Sequence, residues 1–160
     1  MATSSSETQP SFPNGTPYLL PATAAQGLAN YPHARVLPGS PRVIYVSGTS
    51  SRRGDGTYAG CVTDAATGTH ALDVRAQTAA VLQNIGAILR GATGGALGLE
   101  AVVDATVFLT DIAADYAGMN EEWNKVWPDK AAAPSRTCVQ VAALPSPKLN
   151  VEIKCMALWP

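Results

Sequence analysis

The last strand-like segment of the chain has two different faces, and this constrains the fold more than any other feature. Apolar residues occupy alternate positions of the segment: Leu149, Val151, Ile153 and Cys155. The positions between them carry mostly polar residues: Asn150, Glu152, Lys154 and Met156. Because successive side chains of a strand point to opposite faces, the pattern predicts a sheet that is covered by apolar packing on one side. Its other face is poorly suited to bare solvent, so we expect that face to contact further copies of the chain.

The rest of the chain predicts elements in the order ββαβαββ. Strands are predicted at residues 42–47, 57–62, 102–109, 136–141 and 149–157. The first helix opens after Asp73, a suitable N-cap, and ends at the glycine-rich residues 91–98. The second helix is predicted at residues 115–127. If both helices cover the apolar face of the sheet, its polar face must meet water or another subunit.

Residues 1–30 differ in composition from the rest of the chain. Residues 1–17 are Ser, Thr, Pro and Gly with little apolar content, and residues 1–30 are predicted to form a flexible N-terminal arm. Residues 31–160 carry the predicted elements and are expected to form one domain. Only 14% of all residues are charged, against roughly 25% in an average soluble domain. This low fraction also favours a surface that other subunits cover in part.

Charge and hydropathy patterning argue against several partners and locations. The chain has 11 Lys and Arg and 12 Asp and Glu, and this balance predicts neither nucleic-acid nor membrane binding. Its apolar runs are strand-sized, far short of the roughly 20 residues that a bilayer requires. The N-terminal residues lack the features of a signal peptide, and Cys61, Cys138 and Cys155 have no CxxC spacing. We therefore expect a reducing, cytoplasmic location.

Familiar metal and nucleotide motifs are missing from the sequence. Neither His33 nor His70 begins the His–x–Glu pair of the zinc deaminases, and there is no CxxC pair. The GxSxG and GxxxxGK[ST] motifs are also missing. The glycine-rich residues 91–95 follow a helix and not a strand, which favours a flexible connection over a phosphate-binding loop. We expect any catalysis to need neither metal nor cofactor.

Two residues of one predicted strand are candidates for a binding site. Arg136 stands at the start of the strand, where a guanidinium can hold a carboxylate through two hydrogen bonds. An ordinary surface arginine fits the sequence equally well. Cys138 shares the face of Arg136 and is by default a small buried side chain.

Glu152 and an arginine pair are further candidates. Glu152 lies in the middle of a strand, where a buried carboxylate needs a partner or a function. A salt bridge to Lys154 or to another neighbour is one explanation, and a catalytic function is the other. Arg52 and Arg53 lie in the turn after the first strand, where charged residues are usually solvated.

Several short motifs follow one another in a fixed order along residues 31–158. They are Val46-Ser47-Gly48, Asp73-x3-Gln77, Val103-x-x-Thr106-Val107-Phe108-Leu109-Thr110-Asp111, Asn120-x-x-Trp123, Pro134-Ser135-Arg136-Thr137-Cys138-Val139, Leu144-Pro145 and Val151-Glu152-Ile153. Together they resemble the Rid (YjgF-type) family of reactive-intermediate deaminases. The segments Tyr31-Pro32-His33-Ala34-Arg35, 47–56 and 120–126 are similar to the 2-aminomuconate deaminase branch in particular.

The resemblance implies a fold, an assembly and a reaction. The fold would be α+β and chorismate-mutase-like, with a mixed ββαβαββ sheet and two helices on one face. The chain would form a homotrimer whose sheets line a central barrel, with active sites in clefts between subunits. The reaction would be the hydrolytic deamination of 2-aminomuconate to 2-oxo-3-hexenedioate (4-oxalocrotonate) and ammonia. A general 2-imino acid deaminase, or a non-catalytic trimer that binds small metabolites, is the alternative.

The resemblance also implies functions for single residues. Arg136 would bind the substrate carboxylate with help from the backbone N–H of Cys138, and Glu152 would activate or hold the attacking water. His33 stands where the common family has tyrosine, and a histidine there could move protons. Three more positions match substrate-binding positions of the family: Ser47, Gly48 and Asn120. Arg52 and Arg53 would meet the second carboxylate of 2-aminomuconate.

Overall fold

The computed structural model describes residues 12–18, 34–36 and 42–160, with the backbone alone at residues 16–18 and 34–36. The predicted catalytic residue His33 lies outside the described residues. The described elements include strands β1 (Thr16–Tyr18), β2 (Ala34–Val36), β3 (Arg42–Thr49), β4 (Cys61–Thr63) and β5 (His70–Leu72). They continue with helix α1 (Val74–Ala92), strand β6 (Val102–Leu109), helix α2 (Ile112–Val126), and strands β7 (Ser135–Gln140) and β8 (Val151–Trp159).

The main sheet has four strands in the order β3-β8-β6-β7. β8 runs antiparallel to both of its neighbours, whereas β6 and β7 are parallel and are connected through α2. The sheet is therefore mixed, and the predicted α+β fold is confirmed. β3 and β7 form its two edges, so they lie on opposite sides of the molecule.

The second predicted strand differs from what the structure shows. β4 starts at Cys61, later than the predicted residue 57, and pairs with β5 in a separate two-stranded sheet. Gly56 and Gly60 both have positive φ angles, 86° and 64°, so the backbone between them turns and does not run straight. A Cβ at Gly60 would lie 2.6 Å from the Asp73 carbonyl oxygen, which shows how closely this turn approaches the start of α1.

Both helices begin at aspartate caps. The Asp73 carboxylate accepts hydrogen bonds from the backbone N–H groups of Arg75 and Ala76, as predicted for the start of α1. α2 begins at Ile112 and not at residue 115, because the Asp111 carboxylate already accepts from the Ala114 N–H at 3.0 Å. The earlier start adds most of a turn, and it brings Ile112 to the wall of a cavity between α2 and β7.

The two faces of β8 differ as the alternating pattern predicts. Val151, Ile153 and Cys155 are buried beneath the helices, whereas Lys154 on the other face is exposed. Burial, together with the nearby charge of Asp104, raises the pKa of the Cys155 thiol to about 12, so this buried cysteine stays protonated. The outer face of the sheet also exposes apolar side chains, among them Tyr45 at 74%. Within the described residues, no helix is long and apolar enough to cross a membrane.

Candidate active site

Arg136 is the second residue of β7, and its side chain packs against α2. It is only 8% exposed. Its Nη2 donates to the Asn120 Oδ1 at 2.8 Å, and its Nη1 contacts the Met119 Sδ at 3.6 Å. The guanidinium carbon lies 4.7 Å from the centre of the Trp123 ring, within the range of a cation–π interaction. Arg136 is therefore a buried, oriented cation and not an ordinary surface arginine.

Asn120 orients this guanidinium. Its Nδ2 donates to the Tyr116 carbonyl one turn earlier in α2, at 2.9 Å, so its oxygen can face Arg136. Residues three and four apart on a helix share a face, which is why Tyr116, Asn120 and Trp123 surround one side of the arginine. Asn120 is one of the predicted substrate-binding residues, and in the structure its side-chain oxygen accepts a hydrogen bond from Arg136.

A cavity of about 620 Å³ opens between α2 and β7, and we call it the arginine cavity. It is lined by Ile112, Ala113, Tyr116 and Ala117 of α2 and by Arg136, Thr137 and Cys138 of β7. A buried cation in a mostly apolar wall is typical of a pocket that orients a small anionic ligand. A carboxylate is well matched to a guanidinium, because the two groups can form parallel hydrogen bonds.

Cys138 lies in the arginine cavity as a half-buried thiol. Burial raises its pKa, and the charge of Arg136 opposes this effect only in part. Since the thiolate is the nucleophilic form, the raised pKa argues against Cys138 as a nucleophile. Cys138 is therefore a residue that lines the arginine cavity.

Glu152 lies in the middle of β8 and reaches across β3 at Gly48. Its carboxylate would clash with any side chain there, because a Cβ on Gly48 would lie 3.0 Å from the Glu152 Cδ. The pairing of β3 with β8 shifts register between Val46 and Thr49, and this irregularity accommodates the carboxylate. Ser47, beside Gly48, is exposed. In the part of the chain that is described, no ion pair joins Glu152 to Lys154, so this predicted salt bridge is not formed within one copy.

Arg136 and Glu152 lie on opposite faces of the sheet. Arg136 is in register with Ala105 of β6, and Glu152 is in register with Phe108, three residues further along that strand. An odd separation along a strand reverses the side-chain direction. One chain therefore brings Arg136, Asn120 and Cys138 together at the β7 edge, and brings Glu152 to Gly48 near the β3 edge. A single chain therefore does not place Arg136 and Glu152 around the same ligand.

The predicted arginine pair divides in the structure. Arg52 lines an open groove of about 430 Å³ together with Gly48, Thr49 and Asn84. Arg53 is held within its own loop, where its Nη1 donates to the Thr57 hydroxyl at 3.3 Å. Thr57 hydrogen bonds and, to a smaller degree, the Arg53 charge lower the pKa of Asp55 in this loop. Of the two arginines, Arg52 is the one beside Gly48, so we call its groove the Arg52 groove.

Comparison with known proteins assigns the chain to a family. The profile of the family described as Endoribonuclease L-PSP matches residues 22–159, which is most of the sequence. This is the family of the Rid or YjgF proteins. The chain belongs to the Rid family.

Individual relatives match the chain over shorter segments or at lower sequence identity. The RutC family protein slr0709 of Synechocystis is 44% identical over 88 residues, which span 55% of this chain and 63% of that protein. The protein of Escherichia coli named "Putative reactive intermediate deaminase TdcF" is 36% identical over 93 residues, 58% of this chain and 68% of its own length. A Rid-family structure from Yersinia pestis superposes with a TM-score of 0.64 at 24% identity, covering 88% of this chain and 96% of that one. This last likeness supports the fold.

One residue of this Rid chain supports the site although little in its sequence context indicates it. Asn84 of α1 donates through its Nδ2 to the carbonyl oxygens of Ser50, at 2.9 Å, and Arg52, at 3.3 Å. It therefore fixes the backbone of the loop that carries Arg52. The signal in the sequence is a polar residue beside the apolar positions Val81 and Ile85, which is also common on ordinary amphipathic helices.

Proposed function

We propose that this Rid-family chain hydrolyses the enamine and imine forms of 2-amino acids, and that its substrate is 2-aminomuconate. The observation that carries the proposal is the buried Arg136 guanidinium, oriented by Asn120 and exposed to a cavity of about 620 Å³. The name of the related Escherichia coli protein supports the reaction class. The family description names RNA cleavage, but a net charge of -1 favours a small substrate over a polyanion.

The proposed reaction replaces the nitrogen on the carbon next to the substrate carboxylate by oxygen. The enamine first tautomerises to an imine, and water then adds to the imine carbon. The resulting carbinolamine loses its C–N bond, the nitrogen leaves as ammonia, and the carbonyl of 2-oxo-3-hexenedioate forms. Arg136 holds the adjacent carboxylate and so fixes the imine carbon. Glu152 accepts a proton from the attacking water and returns one to the departing nitrogen, so no net proton is gained or lost.

The proposed site needs two copies of the chain. Arg136 and Glu152 lie on opposite faces of one sheet and towards opposite edges, as their registers with β6 require. A contact that joins the β7 edge of one copy to the β3 edge of the next is heterologous, and such contacts form a ring when the rotation between copies closes. Because the resemblance to the Rid family implies three copies, we propose a homotrimer with three equivalent sites between neighbouring copies. The exposed apolar residues Val43, Tyr45 and Val139 on the outer sheet face favour burial in such an assembly.

The Arg52 groove supports a dicarboxylate substrate. In the proposed assembly Arg52 and Glu152 come from the same copy, because both lie beside Gly48. A substrate whose first carboxylate lies on the neighbouring Arg136 would extend towards this groove. Its second carboxylate would otherwise be desolvated without a partner, which is costly. Arg52 supplies that partner.

A general 2-imino acid deaminase is the second candidate, and the openness of the Arg52 groove favours it. An arginine that remains solvated would contribute little to binding. The deciding experiment measures ammonia release from freshly generated 2-aminomuconate and from 2-iminobutyrate, with the protein dialysed against chelator. We expect a higher kcat/KM for 2-aminomuconate. A preference for 2-iminobutyrate would favour the general deaminase, and release from neither substrate would overturn the enzymatic proposal.

A further inference from the structure

The turn at residues 12–15 is anchored to the domain by one fully buried side chain. Asn14 is 0% exposed. Its Nδ2 donates to the carbonyl oxygen of Val102 at 2.7 Å and to that of Ala132 at 3.2 Å. Val102 is the first residue of β6, and Ala132 lies in the loop between α2 and β7. A single amide from the start of the chain therefore ties this loop to the central part of the sheet.

The loop that Asn14 holds leads directly to Arg136. Ala132 precedes Arg136 by four residues, and Ala133 between them is completely buried. Little slack separates the anchored carbonyl from the start of β7, since a residue spans at most about 3.6 Å. The carbonyl that Asn14 holds is therefore close to the start of β7, the strand that carries Arg136.

A second connection runs through two tryptophans. Asn14 and Trp127 line one cleft of about 240 Å³. The Trp127 ring lies 4.3 Å from that of Trp123, centre to centre, and the Arg136 guanidinium lies over Trp123. Trp127, the residue that ends α2, therefore lies between the cleft at the N-terminal turn and the Trp123 ring beneath the arginine. Both connections end at the same guanidinium.

We propose that Asn14 is a positioning residue for Arg136, which makes the N-terminal turn part of the binding site's support. The inference rests on the proposed function in so far as Arg136 binds the substrate carboxylate. An asparagine suits the position because both hydrogens of one amide face the two carbonyl groups. Alanine would leave two acceptors without this donor, and a buried polar group without its partner is costly. Ionised aspartate has the same shape but cannot donate at all.

The test compares Asn14→Ala and Asn14→Asp with two control variants of the full chain. Pro13→Ala alters an exposed residue of the same turn. Thr93→Val removes a buried hydroxyl that donates to the Leu89 carbonyl at 2.8 Å, so it matches the loss of a buried hydrogen bond at the end of α1. Hydrogen exchange of the amides of residues 132–138 is measured in each variant, together with kcat and KM; Pro134 has no N–H and is left out. A third variant, Asn14→Ser, keeps one donor and covers the case in which the first two fail to fold.

Both Asn14 variants should exchange the amides of residues 132–138 about tenfold faster than the wild type, while the controls leave this segment unchanged. Their KM should rise about tenfold with kcat nearly preserved, because the carboxylate grip is misplaced and the catalytic carboxylate is not. The Asn14→Ser variant should lie between these values and the wild type. Unchanged exchange in the Asn14 variants, or an equal change in Thr93→Val, would overturn the inference. A wild type that deaminates neither substrate would instead refute the proposed function, and the exchange data would still decide the question for Asn14.

Discussion

Gly48 gives the Glu152 carboxylate its place on the sheet. A Cβ at position 48 would lie 3.0 Å from the carboxylate carbon of Glu152, well inside normal van der Waals separation. The side chain therefore lies directly on the backbone of β3, at the point where the pairing of β3 and β8 shifts register. A side chain at position 48 would displace the carboxylate, so the glycine after Ser47 lets Glu152 lie over this strand.

Gly48→Ala should reduce kcat about a hundredfold, since a displaced general base loses most of its usual contribution. KM should change little, because the substitution displaces the Glu152 carboxylate and leaves Arg136, which binds the substrate carboxylate, in its own contacts with Asn120. Gly54→Ala is the matched control: nothing lies within 4 Å of a Cβ at that position, so its kinetics should equal those of the wild type. Equal kcat values for wild type and Gly48→Ala would show that the carboxylate need not occupy its observed place.

Mixing two inactive variants tests whether each site is shared between copies. Arg136→Ala and Glu152→Gln should each be nearly inactive alone, with Glu152→Gln losing about 10²–10⁴-fold in kcat. If the two residues act from neighbouring copies, oligomers reassembled at random from both variants hold some sites with both native groups. We expect about a quarter of the wild-type activity to return after denaturation and joint refolding. No recovery, with mixed oligomers verified by mass spectrometry, would place both residues in one chain's site and contradict the shared arrangement.

Arg136→Lys should show whether the arginine acts by its charge or by its shape. Lysine keeps the charge but cannot form two parallel hydrogen bonds with a carboxylate, so kcat/KM should fall to between that of wild type and that of Arg136→Ala. The alanine variant should lose roughly 2–5 kcal/mol of transition-state binding. Arg75→Ala is the control, because Arg75 pairs with Glu121 at the exposed surface and such pairs contribute at most about 1 kcal/mol. A lysine variant as active as wild type would indicate a charge effect alone.

Much of the fold could be predicted because its signals are local. The aspartate before α1 and the alternation along β8 each specify their element from a few neighbouring residues. The separation of β4 from the main sheet could not be predicted in this way. It depends on the close approach of Gly60 to Asp73, a contact between distant groups that leaves no periodic pattern.

The candidate site also has a part that the sequence predicts and a part that depends on contacts between distant residues. The residue types at positions 136 and 152 indicate chemistry by themselves. That the two side chains lie on opposite faces of the sheet follows only from how their strands pair with β6. The contact of Asn14 with Ala132 spans 118 residues and starts in a segment whose composition indicates a flexible arm. Composition predicts average behaviour, and a single buried amide is an exception that composition does not reveal.

Cys138 should resist alkylation in the native protein. Burial raises the pKa of its thiol, so at pH 7 it holds less thiolate than a free cysteine does. Labelling by iodoacetamide should therefore be slow near neutral pH and should increase only as the pH rises past the usual thiol range. Peptide mapping by mass spectrometry would follow Cys138 separately from the other cysteines. Cys138→Ala should retain kcat, and rapid labelling at pH 7 with loss of activity would instead identify the thiol as a nucleophile.

The different surroundings of Arg52 and Arg53 predict different effects on specificity. Arg52 lines the groove beside Gly48, whereas Arg53 donates to Thr57 within its own loop. Arg52→Ala should therefore lower kcat/KM for 2-aminomuconate tenfold or more, which is roughly 1.4 kcal/mol, and leave 2-iminobutyrate unaffected. Arg53→Ala is the matched control, with the same change of charge one residue away, and it should spare both substrates. Asn84→Ala should reproduce the Arg52 effect in weaker form, because it releases the loop and keeps the guanidinium. Equal losses for Arg52→Ala and Arg53→Ala would mean that general charge near the groove matters, and that Arg52 does not bind the second carboxylate.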